Sequence, residues 1–344
     1  MNAPTVAAPG PGPVLVMGAG SVGGYVGGGL QAAGAEVHFV GRPRMLDAWR
    51  AHGLRLTDQD GRDERLPPVA LHLSATVPAG IAPSLVLLAV KCGATREAAA
   101  ALATALPAGT PVLSLQNGLG NAEAGRAVAP ALRWLAGMVP YNIAELGPGH
   151  LHRGTGGKLA AQDDPALRAW LPVFDAARLP MRLYADLKPV QWGKLLLNLN
   201  NPVNALSGLP LRAELMQRGY RQVFAALQRE ALTALAAAGI EPAQVAAAAP
   251  RKLPTLLSLP DWLFRRVAAR MLRIDPEARS SMADDLALGR TTEVDALCGE
   301  VVRLAQANGL AAPLNQRIQA LVEAWPGQPA PLAAPELKSR LGLR

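Results

Sequence analysis

The sequence predicts an α/β protein: a doubly wound, mainly parallel sheet in the first half, followed by a mostly α-helical second domain. Three observations carry this expectation. From Pro13 to about Gln162, near-continuous apolar runs alternate with helical stretches, the pattern of strands buried on both faces. From about Pro165 the strand signal nearly vanishes and helical periodicity takes over. The chain has 344 residues, half of them apolar, which is long enough for about two domains with sizeable cores. The expected layout is a disordered tail over 1–12, a first domain over 13–187, a helical domain over 188–325 and a tail over 326–344.

The runs Val14–Met17, Val37–Val40, Leu85–Val90 and Val112–Leu115 read as buried strands. Ser21–Ala33, Arg44–Ala51 and Thr95–Leu106 lie between them as crossover helices. Leu54–Leu66 contains Asp60-Gly61, a hairpin signal, and Leu135–Leu159 holds Gly147-Pro148-Gly149, so antiparallel strands are expected in both. Further on, Pro189–Leu206, Ala213–Ala238, Asp261–Leu272, Thr292–Ala307 and Leu314–Ala324 read as helices. Thr291-Thr292-Glu293 looks like a helix start and Asn308-Gly309 like a stop. Pro326–Pro335 is Pro/Ala-rich and reads as a tail.

Composition excludes several classes. No apolar run reaches the roughly 18 residues of a membrane span, and the longest, Ile81–Val90, stops at Lys91. The first residues lack a charged segment followed by an apolar one, so no signal peptide is read. Two cysteines, Cys92 and Cys298, are too few for a disulfide scaffold or a zinc cluster. A cytoplasmic protein with no metal and no membrane partner is expected. The net charge is +8, but only 4% of residues are aromatic and no nucleic-acid motif is present. The arginines then read as a solvated surface rather than a nucleic-acid footprint. Trp262–Arg273 reads as a packed helix with arginines outward, and Cys298 as a core residue.

The strand Val14–Met17 leads directly into Gly18-Ala19-Gly20-Ser21-Val22-Gly23 and then into a helix. A glycine motif in that setting is a Rossmann-type phosphate-binding turn. Gly18 permits the tight turn, Gly20 lets the backbone approach a pyrophosphate, and Gly23 lets helix and strand pack closely. The helix N-terminus then presents free N–H groups to the phosphates. A dinucleotide with a free ribose 2′-hydroxyl is usually held by an acidic residue ending the second strand. Here that strand runs into Gly41-Arg42-Pro43-Arg44, and Glu36 stands at its wrong end. Arg42 can make forked, charge-assisted hydrogen bonds to a 2′-phosphate, with Arg44 a candidate second. The expected cofactor is therefore NADP(H).

Three further stretches point to chemistry. Lys91 follows a buried strand at the edge where ligands bind in open α/β sheets. Ser114-Leu115-Gln116-Asn117-Gly118-Leu119-Gly120 is a strand running into an Asn-Gly turn at the same kind of edge. In Trp192-Gly193-Lys194-Leu195-Leu196-Leu197-Asn198-Leu199-Asn200-Asn201-Pro202, Lys194, Asn198 and Asn201 are spaced i, i+4, i+7 on one helical face. Unpaired buried polar groups cost a few kcal/mol each, so such a stripe should face a wet cleft or a ligand. A fourth stretch, Arg279 to Asp295, holds Ser280-Ser281 and Thr291-Thr292-Glu293-Val294-Asp295.

In this order, GAGSVGG, GR, VK, LQNGLGN, WGKLLLNLNNP and RSSMADDLALGRTTEVD resemble the ketopantoate reductase family over about Pro13 to Leu321. The resemblance implies an N-terminal Rossmann domain, a helical C-terminal domain and an active site in the cleft between them. It implies NADPH-dependent reduction of a small 2-oxo acid, ketopantoate, to (R)-pantoate on the way to pantothenate. By motif, Lys194 matches the general acid and Glu293 a catalytic Glu near cofactor and substrate hydroxyl. Asn117 and Lys91 match cofactor-side positions, and Lys194, Asn198, Asn201 and Ser281 match substrate-binding positions. Residues 13–187 would then bind NADP, and 188–325 would hold substrate and any homodimer contact.

The sequence also departs from the family pattern. The second helix Asn usually follows the Lys by eight residues, whereas Asn201 follows Lys194 by seven, with Asn200 beside it. Two further Asn positions hold Ala278 and a residue near Leu211. These departures leave open a paralogous reductase of another 2-oxo acid. A non-catalytic NADP-binding sensor on the same fold also stays open.

Overall fold

The computed structural model describes residues 10–269, 272, 275, 277–325 and 331–343. They form two compact units, Met1–Gln116 with Gly120–Leu187, and Asn117–Leu119 with Lys188–Arg344. In the first unit the elements run β1 Val14–Met17, α1 Ser21–Ala32, β2 Val37–Val40, α2 Pro43–His52, β3 Leu54–Asp58, β4 Asp63–Leu66, β5 His72–Ser74, β6 Leu85–Leu88, α3 Thr95–Ala105, β7 Pro111–Ser114, α4 Asn121–Val128, β8 Arg133–Met138, β9 Ile143–Gly147, β10 His150–Arg153, β11 Leu159–Gln162, α5 Pro165–Arg168, α6 Leu171–Ala176 and β12 Met181–Tyr184.

The main sheet has the order β12-β11-β8-β7-β6-β1-β2-β5. Its pairs are parallel except β8 with β11. Apolar runs form these strands because both faces are covered. Val14, Val16, Leu85 and Leu87 join one core with Tyr25, Leu30 and Trp49, while Leu15, Val86 and Leu88 join another with Ala98, Ala99 and Leu102. Successive side chains thus feed opposite faces of the sheet. A small second sheet, β4-β3-β10-β9, contains the two expected antiparallel pairs, β3 with β4 and β9 with β10.

The second unit is helical: α7 Lys188–Asn198, α8 Asn200–Ser207, α9 Leu211–Leu215, α10 Arg218–Ala237, α11 Leu253–Leu257, α12 Asp261–Val267, α13 Ser281–Ala287, a π-helical turn Asp295–Gly299, α14 Glu300–Ala307, α15 Pro313–Glu323 and α16 Ala334–Leu341. The 20-residue α10 runs through its core, burying Val223, Leu227, Ala231 and Leu235. Arg221 on α10 is fully buried and donates to the carbonyls of Leu215, Leu257 and Leu259, which closes the C-terminal ends of α9 and α11.

Several expectations are corrected. The tail over 326–344 contains α16, with Leu332, Leu337 and Leu341 buried in the helical core. Pro335 sits in the first turn, where a missing N–H costs nothing, so Pro/Ala richness does not signal disorder here. The strand β12, beyond Pro165, was not expected; it is short, and alternating polar residues weaken its signal. The helix expected from Pro189 to Leu206 is broken at Leu199, and that from Ala213 to Ala238 is α9 and α10. The helix expected from Thr292 starts at Asp295 with a π turn. Helix α12 ends at Val267, and part of Trp262–Arg273 falls outside the described residues. So does most of the expected N-terminal tail.

Candidate active site

In the first unit β1 lies between β2 and β6, where the strand order reverses. Ligands of open α/β sheets sit at the carboxyl ends of the strands at such a point. The chain leaves β1 through Gly18 at φ +115, where an added Cβ would lie 2.6 Å from the Ala89 carbonyl carbon. At Gly23 a Cβ would come within 2.1 Å of the Gly18 carbonyl oxygen, so α1 packs against the turn only without a side chain. At Gly20 nothing lies within 4 Å of an added Cβ. Helix α1 has no side-chain cap and no acidic residue in its first turn. Its first N–H groups and its positive dipole end therefore suit an anion, and Ala19, Ser21 and Val22 complete the turn.

Arg42 is exposed at the N-terminus of α2, and among the described residues it has no ion pair. The preceding Gly41 lies against the turn; a Cβ there would meet Ala19 Cβ at 2.5 Å. Arg44 is instead 3.2 Å from Glu145 Oε2. Lys91 is exposed beyond β6, at the same sheet edge. Gln116 Nε2 donates to Val90 O at 3.0 Å and to Thr95 Oγ1 at 2.8 Å, tying the end of β7 to the segment that carries Lys91.

In the second unit three separate motifs converge. Asn117 Nδ2 donates to Glu293 Oε2 at 3.2 Å, and Asn198 Nδ2 donates to Asn117 Oδ1 at 3.4 Å. Gly118, at φ +75, turns the chain beside Asn117 against the Ala296 carbonyl. Lys194 stands one turn before Asn198 on α7, and desolvation pushes its ammonium down to about 8.

Asn201 and Ser281 do not join this cluster. The break at Leu199 takes Asn201 off a continuous stripe with Lys194, and its carbonyl accepts from Ser280 Oγ at 3.4 Å. Ser281 is exposed at the start of α13, while the buried Ser280 caps that helix by accepting from Ala283 N at 3.1 Å. Among the described residues, no hydrogen bond joins either the Asn201 or the Ser281 side chain to Asn117, Asn198 or Glu293. The two departing positions meet: Leu211 N donates to Ala278 O at 2.8 Å.

One group of residues was not foreseen. Asn200 Nδ2 and Asn204 Nδ2 both donate to Glu214 Oε2 at 3.1 Å, and Asn204 Oδ1 accepts from Ser280 N at 2.9 Å. Burial pushes the Glu214 carboxyl up to about 8, against the lowering effect of the two amides. The available signal was two Asn residues four apart on an apolar helix, followed by a Glu between Ala213 and Leu215.

Residues 14–165 match the family described as ketopantoate reductase PanE/ApbA, and residues 186–325 match its C-terminal family. The chain belongs to the ketopantoate reductase family. A Halobacterium salinarum 2-dehydropantoate 2-reductase is 30% identical over 317 residues, covering 90% of this chain and 97% of that one. The structure of a PanE/ApbA family ketopantoate reductase from Ralstonia eutropha JMP134 superposes with a TM-score of 0.75 at 32% identity, over 90% of this chain and 97% of that one. The 2-dehydropantoate 2-reductase of Geobacter metallireducens GS-15 gives a TM-score of 0.74 at 25% identity, over 90% and 99%. As a ketopantoate reductase family member, the protein is an oxidoreductase. Among the described residues no helix is long and apolar enough to cross a membrane, and no group of three or more His, Cys, Asp or Glu is placed to hold a metal.

Proposed function

We propose that the protein reduces ketopantoate to (R)-pantoate with NADPH, Lys194 being the proton donor. The observation that carries this is the Asn117–Glu293–Asn198 cluster one helical turn from Lys194. A bound NADPH supplies the hydride. The Gly18–Gly23 turn fits its pyrophosphate, because the position above Gly20 is open and the start of α1 is uncapped. Arg42 would hold the 2′-phosphate, with Lys91 and Asn117 as further cofactor-side groups. As the ketone is reduced, negative charge grows on its oxygen, and the Lys194 ammonium stabilises that charge and delivers a proton. Burial leaves this ammonium charged at neutral pH yet closer to giving up its proton than an exposed lysine. Glu293 orients Asn117 and, with Asn198, the substrate, while Asn201 and Ser281 are the remaining substrate-side candidates.

The Leu211–Ala278 contact favours a second reading, a reductase of a different 2-oxo acid, because amides are absent at both positions. The test is NADPH oxidation with ketopantoate beside a panel of 2-oxo acids, each repeated with NADH. Fast turnover with ketopantoate and NADPH is expected. Turnover confined to another 2-oxo acid would transfer the same mechanism to that substrate. Tight NADPH binding with no turnover of any acid would leave only a sensor.

A further inference from the structure

We propose that Glu214 is a positioning residue kept as a neutral carboxylic acid, whose proton bonds Asn200 and whose other oxygen, through Asn204, fixes the Ser280 cap of the helix that presents Ser281. The argument starts from unmatched atoms. Glu214 Oε2 receives two amide N–H groups, from Asn200 and Asn204, at 3.1 Å each. Glu214 Oε1 and Asn200 Oδ1 are both buried, and among the described residues neither has a hydrogen-bond partner. Both are acceptors when the carboxyl is ionised, and two buried unmatched acceptors are expensive. A proton on Oε1 supplies the donor that Asn200 Oδ1 lacks, so that carboxyl and amide can pair along both edges.

The surroundings favour the neutral form. Glu214 is fully buried, and among the described residues it has no ion pair. Helix α8, packed against α9, carries no ionisable side chain. From α10 come Tyr220, whose hydroxyl donates to Leu332 O, and Arg221, which is engaged by three carbonyls and Asp261. Beside Ala278, Arg279 lies 3.9 Å from Asp284, and Arg212 on α9 itself is exposed. The burial-raised carboxyl described above agrees with this setting. From Glu214 the bonds run to Asn204, from Asn204 Oδ1 to Ser280 N, and from Ser280 Oγ to Ala283 N at the first turn of α13. The link to substrate binding rests on the function proposed above; the protonation state does not.

Two sets of measurements test this. In infrared difference spectra of wild type against Glu214→Gln, a protonated-carboxyl band is expected at neutral pH, fading as the pH passes about 8. The folded protein keeps a proton that the unfolded chain releases near 4.5, so wild-type stability falls as pH rises between about 4.5 and 8. The melting-temperature advantage of Glu214→Gln over wild type should therefore widen across that window and stay level above it. Neither readout needs a substrate. With whichever 2-oxo acid turns over, Glu214→Gln should keep KM, whereas Glu214→Ala should raise KM about tenfold at similar kcat, the loss of roughly one hydrogen bond. Absence of the band at neutral pH, or a melting difference that does not vary with pH, overturns the neutral acid. Equal KM in Glu214→Ala and wild type overturns the positioning role.

Discussion

Lys194 shows how one residue's setting fixes its chemistry. Desolvation lowers its ammonium to about 8, so the proton donor is present below that pH and disappears above it. Turnover in the reducing direction is expected to fall about tenfold per pH unit above about 8. Lys194→Ala should lower kcat at least about a hundredfold, since a positioned acid contributes roughly 10²–10⁴-fold. A loss within about tenfold would mean that another group donates the proton. Arg42 gives the matching prediction for the cofactor. Its exposed guanidinium has no ion pair among the described residues, and hydrogen bonds to a charged group are worth roughly 1.5–3 kcal/mol. Arg42→Ala should therefore raise KM for NADPH about ten- to a hundredfold and leave KM for NADH within about twofold. Steady-state kinetics with both cofactors would show this, and equal changes for the two would remove Arg42 as the determinant.

At the scale of elements, the contact between α1 and the glycine turn makes a sharp prediction. A methyl at Gly23 meets the Gly18 carbonyl oxygen at 2.1 Å, a backbone atom that cannot swing away. Gly23→Ala must push α1 off the turn and should lower the melting temperature without any ligand, whereas Gly20→Ala, whose Cβ enters the open space proposed for the pyrophosphate, should leave the melting temperature nearly unchanged and weaken NADPH binding; thermal denaturation and isothermal titration compare the two. The strands β1, β2, β6 and β7 were legible because burial on both faces leaves a continuous apolar run, and a strand–glycine–helix order is hard to mistake. Short polar-alternating strands such as β12 leave too few residues for a period. Helix α16 is hard to see in the sequence because the Pro/Ala-rich stretch leading into it masks the Leu337–Leu341 spacing of its buried face. In the site, the types at Lys194, Asn198, Asn117 and Glu293 were legible from their motifs. The Glu214 group was not, because its three members are joined only by the folding of α8 onto α9. Leu337→Ala should cost about 2–5 kcal/mol, as for other fully buried leucines, and chemical denaturation would show whether α16 belongs to the core.

For the whole molecule, the division into two compact units, each with its own apolar core, ties ligand binding to stability. The expected phosphate turn and Arg42 both lie in the first unit, so NADPH should stabilise that unit by mass action. At a hundredfold excess over Kd the gain is about 2.7 kcal/mol. A unit of this size shifts by roughly 2–4 °C per kcal/mol, so the melting transition of the first unit should rise about 5–10 °C. If Arg42 reads the 2′-phosphate, NADH at the same concentration binds more weakly and shifts the transition less. In Arg42→Ala the two cofactors should then give nearly equal shifts, both small. Calorimetry with each cofactor would separate the outcomes. A large NADPH shift that survives Arg42→Ala would place 2′-phosphate recognition on other residues, Arg44 or Lys91 first, and leave the turn as the binding site. Equal shifts with both cofactors in wild type would mean that this fold accepts either dinucleotide.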